Sequence, residues 1–368
     1  MAEVYYPIQK LKDFARDVFI GLGCPAEDAE ICADVLAAAD RRGIDSHGVG
    51  RLKPIYYDRI REGTQNAVTQ IKVERDIGAT AVIDGGNGMG MVVAKRCMEM
   101  AIEKASVYGI GMVVAKNSTH YGIAAYYPLM ACERDMIGLT GTNARPSVAP
   151  TWGVENLLGT NPLVFAVPTD EPFPFTNDYA TSTCQRGKIE LYARLGKPLP
   201  VGWVVDSDGK AMTDAEAVLK ALTSGTAALT PLGGIGEEMG GHKGYGFAAV
   251  VELLTAGLTL SPFLKQLNGV DESGKKTAIP LSHFFIAVDV SHFADPQQFK
   301  KQSGDILRSL RSSRKAKGAE RIYTHGEKEY FFSIEREKTG APLPPLVQKQ
   351  LVQMRDELAL HHWRFPWE

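Results

Sequence analysis

Ser46, His47 and Arg51 fall within the stretch Asp45-Ser46-His47-Gly48-Val49-Gly50-Arg51-Leu52. An imidazole changes charge near neutral pH and can carry a proton, while a guanidinium presents a planar fork that matches a carboxylate. Four residues apart, His47 and Arg51 share one side if the stretch is helical. The pairing suits an acid/base group beside a carboxylate clamp. The plainer alternative is a helix-to-loop corner carrying a surface arginine, so the choice rests on the rest of the chain.

Several later stretches offer matching chemistry. Asn117-Ser118-Thr119-His120-Tyr121-Gly122 follows a strand-like run. Ser118 or Thr119 can cap a following helix whose free amides would favour an anion such as a cofactor phosphate. His120 then reads either as a second donor or acid/base facing a ligand, or as a satisfied histidine in a capping loop. Gly159-Thr160-Asn161-Pro162 is a turn with two hydrogen-bonding side chains, and Asp178-Tyr179-Ala180-Thr181-Ser182 follows. Gln185-Arg186-Gly187-Lys188 brings two cations together, useful against a dianion and equally common on a solvated face.

Gly233-Gly234-Ile235-Gly236 and Gly240-Gly241-His242-Lys243-Gly244-Tyr245-Gly246 form a dense glycine cluster that opens a helix at Phe247. Close backbone approach to a ligand, with Lys243 meeting phosphate or ribose, explains it. So does a flexible loop capping a buried helix. Lys243 is followed by glycine, which rules out a Walker loop. Asp84-Gly85-Gly86-Asn87-Gly88-Met89-Gly90 lacks the G-x-G-x-x-G spacing, and Glu103, near the right distance, lies inside a helical pattern. It reads as a tight turn, so a Rossmann domain is not expected. There is no His-x-x-x-His or His-Glu-x-x-His motif, and no metal site is expected. Ser46 beside His47 is not a nucleophile elbow.

The elements that must position these residues change character along the chain. Ile8, Leu11, Ala15, Val18 and Leu22 share a helical face. A second amphipathic helix from about Ala26 to Arg42 buries Ala29, Cys32, Ala33 and Leu36, and Gly43 can stop it. The His47 stretch leads into an aromatic helix around Tyr56 and Tyr57. From about residue 70, strands near 80–83, 112–115, 137–140, 163–167 and 284–288 alternate with helices over 91–108, 124–134 and 246–257. This is mixed α/β character. A helix from Pro296 to Ser309 runs into a basic segment that reaches Gly318, and a last polar helix covers about 344–360. The expected organisation is a helical part over 1–70, an α/β domain over 71–295 and a helical part over 296–368.

Composition narrows the function classes. A chain of 368 residues should form about two domains, and 44% hydrophobic with 23% charged residues is ordinary for a globular protein. A formal net charge of −2 argues against nucleic acid or an anionic membrane as partner. The start, Met1-Ala2-Glu3-Val4-Tyr5, has neither a basic run nor an apolar signal region. The most apolar run, Phe247 to Leu260, is broken by Glu252 and too short to span a bilayer. Cys24, Cys32, Cys97, Cys132 and Cys184 form no paired pattern and read as reduced thiols of a cytoplasmic protein.

Taken in order, five motifs resemble the type-2 malate/L-lactate dehydrogenase family, which includes sulfolactate and ureidoglycolate dehydrogenases and a cyclic-imine reductase branch. They are Ser46-His47-Gly48 with Arg51, His120-Tyr121-Gly122, Gly159-Thr160-Asn161-Pro162, Asp178-Tyr179-Ala180-Thr181-Ser182 and His242-Lys243-Gly244-Tyr245-Gly246. The resemblance covers nearly the whole chain and implies a non-Rossmann NAD(P)-binding fold, a helical domain from both chain ends, and a homodimer. It implies His47 as proton carrier supported by Ser46, with His120 credited instead in some relatives. Arg51 would hold the substrate carboxylate, and Thr160, Arg186, Gly187 and Lys188 would line the pocket. His120, Tyr121, Gly122, Asn143, Asp178, Tyr179, Ala180, His242, Lys243, Arg311, Ser313, Arg314 and Lys315 would hold NAD or NADP. The imine-reductase branch has an acidic residue where this chain has Lys188, which disfavours an imine substrate. The expected activity is hydride transfer between nicotinamide and a 2-hydroxy acid, with L-malate leading and L-lactate, sulfolactate or ureidoglycolate as alternatives. A silent nucleotide-binding scaffold is the non-enzymatic alternative.

Overall fold

The protein is described from a computed structural model over residues 4–368; the reading of Met1, Ala2 and Glu3 lies outside the described residues. The chain opens with strand β1 (Val4–Tyr6), helix α1 (Ile8–Gly21) and helix α2 (Ala26–Arg41). Both helices begin just after a proline, whose fixed φ suits a helix start. The spacing predicted these two helices. A 3₁₀ turn (Val49–Arg51), a π-helical turn (Leu52–Tyr57) and α3 (Asp58–Arg61) come next. His47 and Arg51 therefore do not share an α-helix, contrary to the expected geometry.

Strands β2 (Lys72–Ile77) and β3 (Thr80–Asp84), helix α4 (Gly90–Tyr108), strand β4 (Ile110–Ser118), helix α5 (Tyr126–Cys132) and strand β5 (Met136–Thr142) follow. Then come β6 (Leu163–Val167), β7 (Phe175–Tyr179), α6 (Arg186–Arg194), β8 (Val204–Asp206), α7 (Ala215–Ser224), β9 (Ala227–Leu229) and α8 (Gly241–Glu252). The chain closes with β10 (Leu281–Asp289), α9 (Pro296–Ser312), α10 (Glu327–Thr339), β11 (Ala341–Leu343) and α11 (Pro345–Glu357). Seven strands form one sheet in the order β2-β3-β4-β10-β5-β6-β7. The β2/β3 pair is antiparallel and β3/β4 parallel, so the fold is mixed α/β. Among the described residues, no helix is long and apolar enough to cross a membrane.

The chain divides into two compact units, with boundaries that fall inside β5, β6, β7 and β10. The first comprises residues 1–140, 165–177 and 285–368. In it β1 pairs antiparallel with β11, Tyr6 opposite Ala341, which ties the two chain ends together. Phe14 of α1 meets Trp363 and Phe365 edge-on at 5.5 and 5.2 Å. Such aromatic pairs stabilise beyond the area they bury. Phe19, Leu36, Leu52, Tyr56 and Tyr127 are fully or almost fully buried and complete the interior.

One expectation fails here and another holds. Helix α5 starts at Tyr126, so neither Ser118 nor Thr119 caps it. Thr119 instead serves α4, its hydroxyl accepting from the Gly90 amide at 2.9 Å and donating to Gly88 O at 2.8 Å. The Gly85–Gly90 stretch is the expected turn, with the Gly88 amide bonded to Gly85 O at 3.0 Å.

The second unit comprises residues 141–164 and 178–284. Its core gathers Ile189, Val204, Val218, Leu229 and Ala248 from the β8/β9 pair, α6, α7 and α8, with Val148, Leu158 and Leu199 from the connecting segments. Helix α6 is short and polar on its outer face and does not stand out by periodicity; α7, framed by the Asp214 cap and by Gly225, carries start and stop signals that the expected organisation misses. Helix α8 begins at Gly241, five residues before the expected range of 246–257; three of its first six residues are glycine, a poor helix former, which hid the early start in the sequence.

Candidate active site

The first unit assembles Ser46, His47, Arg51, Tyr56 and His120. The loop carrying His47 is a series of short turns, with the His47 amide on Ile44 O at 2.9 Å and the Arg51 amide on Gly48 O at 2.8 Å. Arg51 also donates from Nε to Ser46 O, which folds its side chain back over the loop. Ser46 Oγ lies 2.9 Å from His47 Nδ1. The His47 and His120 rings stack, 5.8 Å between centroids and 17° from parallel. Distant in sequence, the two histidines belong to one cluster.

His120 is held from its other side. The Gly122 amide points at its Nδ1 at 3.2 Å, and Tyr56 Oη lies 2.7 Å from the same atom. An amide can only donate, so Nδ1 is an acceptor, the Tyr56 hydroxyl donates to it, and a neutral ring carries its proton on Nε2. Nothing in the sequence beyond an aromatic pair singled out Tyr56. Ser46 is different, because a hydroxyl both donates and accepts. Burial, and then the Arg51 charge, push the His47 pKa down to about 4, so His47 is neutral at physiological pH.

Tyr121 and Gly122 are buried beside this cluster. The Tyr121 ring stacks on Tyr127 at 5.1 Å, and the tight φ of +76° at Gly122 lets the chain turn against Val35. In the tail, Arg311 is turned inward, bonded to Glu171 at 2.6 Å and to Thr324 at 3.0 Å. Ser313 bonds back to Leu310 O at 2.9 Å, Lys315 donates to Glu320 O at 2.8 Å, and Arg314 is exposed.

The remaining candidates belong to the second unit. Asn143 is fully buried and accepts from the Ser282 amide at 2.8 Å. Thr160 O accepts from the Thr181 amide at 2.9 Å, and Asn161 donates to Ala248 O at 3.2 Å and to Glu252 at 3.3 Å. Asp178 is exposed, while Tyr179 and Ala180 are half-buried. Arg186, Gly187 and Lys188 lie exposed at the start of α6, with Arg186 on Glu190 and Thr223, each at 3.1 Å.

His242 and Lys243 stand in the first turn of α8. The glycines around them have two separate causes. A Cβ on Gly241 or Gly244 would lie 2.0 Å from Gly234 O or 2.1 Å from Leu232 O, so protein backbone itself demands them. Gly236, Gly240 and Gly246 instead face open space. His242 Nδ1 is buried without a hydrogen-bond partner. A buried polar atom of this kind at a helix N-terminus fits a bound polar group, and a nucleotide phosphate or ribose supplies one.

The sequence profile of the malate/L-lactate dehydrogenase family matches residues 6–352. The chain belongs to that family. It is 44% identical over 345 residues to the malate dehydrogenase of Pyrococcus horikoshii, covering 94% of this chain and 93% of that one. It is 37% identical over 352 residues to the L-sulfolactate dehydrogenase of Methanocaldococcus jannaschii, covering 95% and 96%. The crystal structure of malate dehydrogenase from Entamoeba histolytica superposes with a TM-score of 0.94 at 42% identity, covering 99% and 100%. The fold of this malate/L-lactate dehydrogenase family member is therefore that of its solved relatives across essentially the whole chain.

Proposed function

We propose that the protein is an NAD(P)-dependent oxidoreductase that interconverts L-malate and oxaloacetate. The observation carrying this reading is the difference between the stacked histidines. His120 is locked as a donor by Gly122 and Tyr56, whereas His47 pairs with a hydroxyl that can reverse its bond. When Ser46 accepts from Nδ1, His47 Nε2 offers a lone pair for the substrate hydroxyl proton. When Ser46 donates to Nδ1, Nε2 carries the proton that returns to the keto oxygen. One histidine thus serves both directions without holding a buried charge between turnovers.

Arg51 fixes the C1 carboxylate through its guanidinium fork, which orients C2 for reaction. His120 donates to the substrate oxygen or its neighbour. A bound nicotinamide supplies the hydride acceptor or donor. The family resemblance assigns its binding to Asn143, Asp178 to Ala180, His242, Lys243 and the tail around Arg314 and Lys315, and the unpartnered His242 nitrogen supports that assignment. The buried free thiols fit a reducing, cytoplasmic setting.

The second carboxylate of malate is assigned to Arg186 and Lys188. Arg186 gives up only an exposed ion pair with Glu190, worth about 1 kcal/mol or less. Pyruvate offers a methyl group there. Catalytic efficiency for oxaloacetate over pyruvate should therefore differ on the order of a hundredfold, and Arg186→Met or Lys188→Met should shrink the ratio. Equal efficiency on the two keto acids would remove the malate assignment and leave the dehydrogenase standing.

A homodimer is part of the same reading. Between Tyr245 and Leu264 the only charged residue is Glu252, which is buried, while Phe247, Val250, Leu253, Leu258, Leu260 and Phe263 are exposed. Leu260 is 93% exposed and borders an apolar cavity of about 800 Å³ on the same face. A face holding both a projection and a recess suits two-fold self-pairing, and a monomer rarely leaves so much contiguous apolar surface bare.

A further inference from the structure

Asp40 sits in the last turn of α2, 3% exposed, on the apolar stripe that runs through Ala29, Ala33 and Leu36. Its Oδ2 accepts from the Val49 amide at 2.8 Å. Its other oxygen fills the space over Gly48, where an added Cβ would lie 1.7 Å from Oδ1 and 2.2 Å from Cγ. One buried carboxyl thus grips the two residues that follow His47. Arg336 of α10 secures the other side, donating to Asp40 O and, through Nη2 at 2.9 Å, to Asp45 Oδ2.

We infer that Asp40 is a positioning residue for His47, holding the 44–51 loop so that the imidazole stays stacked on His120 within reach of Ser46. This inference rests on the proton-carrier role proposed for His47. Asp40 touches neither substrate nor cofactor in it. The Val49 bond and the Gly48 contact act on backbone, so losing them frees the loop to rotate rather than removing a reacting group. A misplacement of about 1 Å at an acid/base group can cost about a hundredfold in rate.

The grip is also sensitive to protonation. Burial, foremost, raises the Asp40 pKa to about 7; the Val49 amide lowers it, Asp45 raises it and Arg336 lowers it. An ionised carboxylate holds an amide more tightly than a neutral acid does. His47 itself titrates far lower, near 4. An inflection of kcat near pH 7, with slower turnover on the acid side, is then the signature of Asp40 and not of the proton carrier.

The test compares D40A, D40N, G48A and the D40A/G48A pair in the full-length enzyme, with H47A as reference. D40A should lower kcat by about 10- to 100-fold while the NADH dissociation constant stays within about twofold. D40N keeps an acceptor for Val49 and should recover most of that loss at pH 8, but without the inflection near pH 7. G48A should be damaging in the native background and much less so on top of D40A, since the three atoms nearest an added Cβ all belong to the Asp40 carboxyl. Native kcat in D40A, an unchanged inflection in D40N, or equal G48A effects in both backgrounds would each overturn the inference. If H47A itself retains full turnover, the proton-carrier reading fails instead, whatever the Asp40 variants do.

Discussion

His47 and His120 lie ring over ring, yet their hydrogen bonds leave them different freedom. His120 Nδ1 is committed to Gly122 and Tyr56, and His47 Nδ1 to a serine that can switch. His47→Ala should therefore cut turnover by about two orders of magnitude or more while NADH fluorescence reports nearly unchanged cofactor affinity. Normal turnover in that variant, with loss in His120→Ala, would transfer the role to His120. Arg51 acts on the same histidine electrostatically, since its charge is the second cause of the lowered His47 pKa after burial. Arg51→Met should move the His47 titration upward, as followed by NMR of the imidazole carbon-bound protons. A downward or absent shift would mean that Arg51 does not face the ring.

At the scale of elements, α8 performs two duties. Its first turn carries His242 and Lys243 on a glycine-packed corner, and its outer face continues through Phe247, Val250 and Leu253 into the exposed Leu260 turn. A glutamate placed at Leu253 would put a charge in the middle of an apolar pairing surface, where desolvating it costs several kcal/mol. Leu253→Glu should then shift the protein toward monomer in size-exclusion chromatography with light scattering, with far-UV circular dichroism unchanged. A monomeric native protein, or a variant that stays dimeric, would place the interface elsewhere or remove it.

For the whole molecule, buried Asp40 and half-buried His47 in the first unit make opposite contributions to stability as pH changes. Asp40, raised to about 7 from an unfolded value near 4, stabilises the fold below that unfolded value, and the contribution is lost as pH rises through 7. His47, lowered to about 4, contributes stability above its unfolded value near 6.5 and loses it as pH falls toward 4. Between about pH 4 and 6.5 the two slopes oppose each other. Relative to D40N, the native protein should therefore lose up to about 1.4 kcal/mol of stability per pH unit on going from pH 4 to 7. Urea unfolding of both proteins at half-unit steps measures the difference, and a flat difference would show that Asp40 titrates normally in the fold.

Much of this was legible in the order of residues. Periodicity located α1, α2 and α4, because an amphipathic helix states its buried face in its own spacing. The five ordered motifs pointed to the family whose profile matches residues 6–352. Asp40 was not singled out, because the stripe through Ala29, Ala33 and Leu36 does not say that a buried carboxyl continues it or what that carboxyl bonds. Short or outwardly polar elements such as α6 and β7 were not legible, since their stability comes from neighbours distant in the chain. The same holds for the stacking of His47 on His120, the Tyr56 bond that orients His120 and the shift of Thr119 from capping α5 to capping α4. Each joins groups dozens of residues apart, and local propensity carries no information about which distant side chain arrives. Residue types and their order determined the chemistry available; packing alone decided which histidine is held by an amide and a tyrosine, which one meets a reversible hydroxyl, and which carboxyl grips the loop beside it.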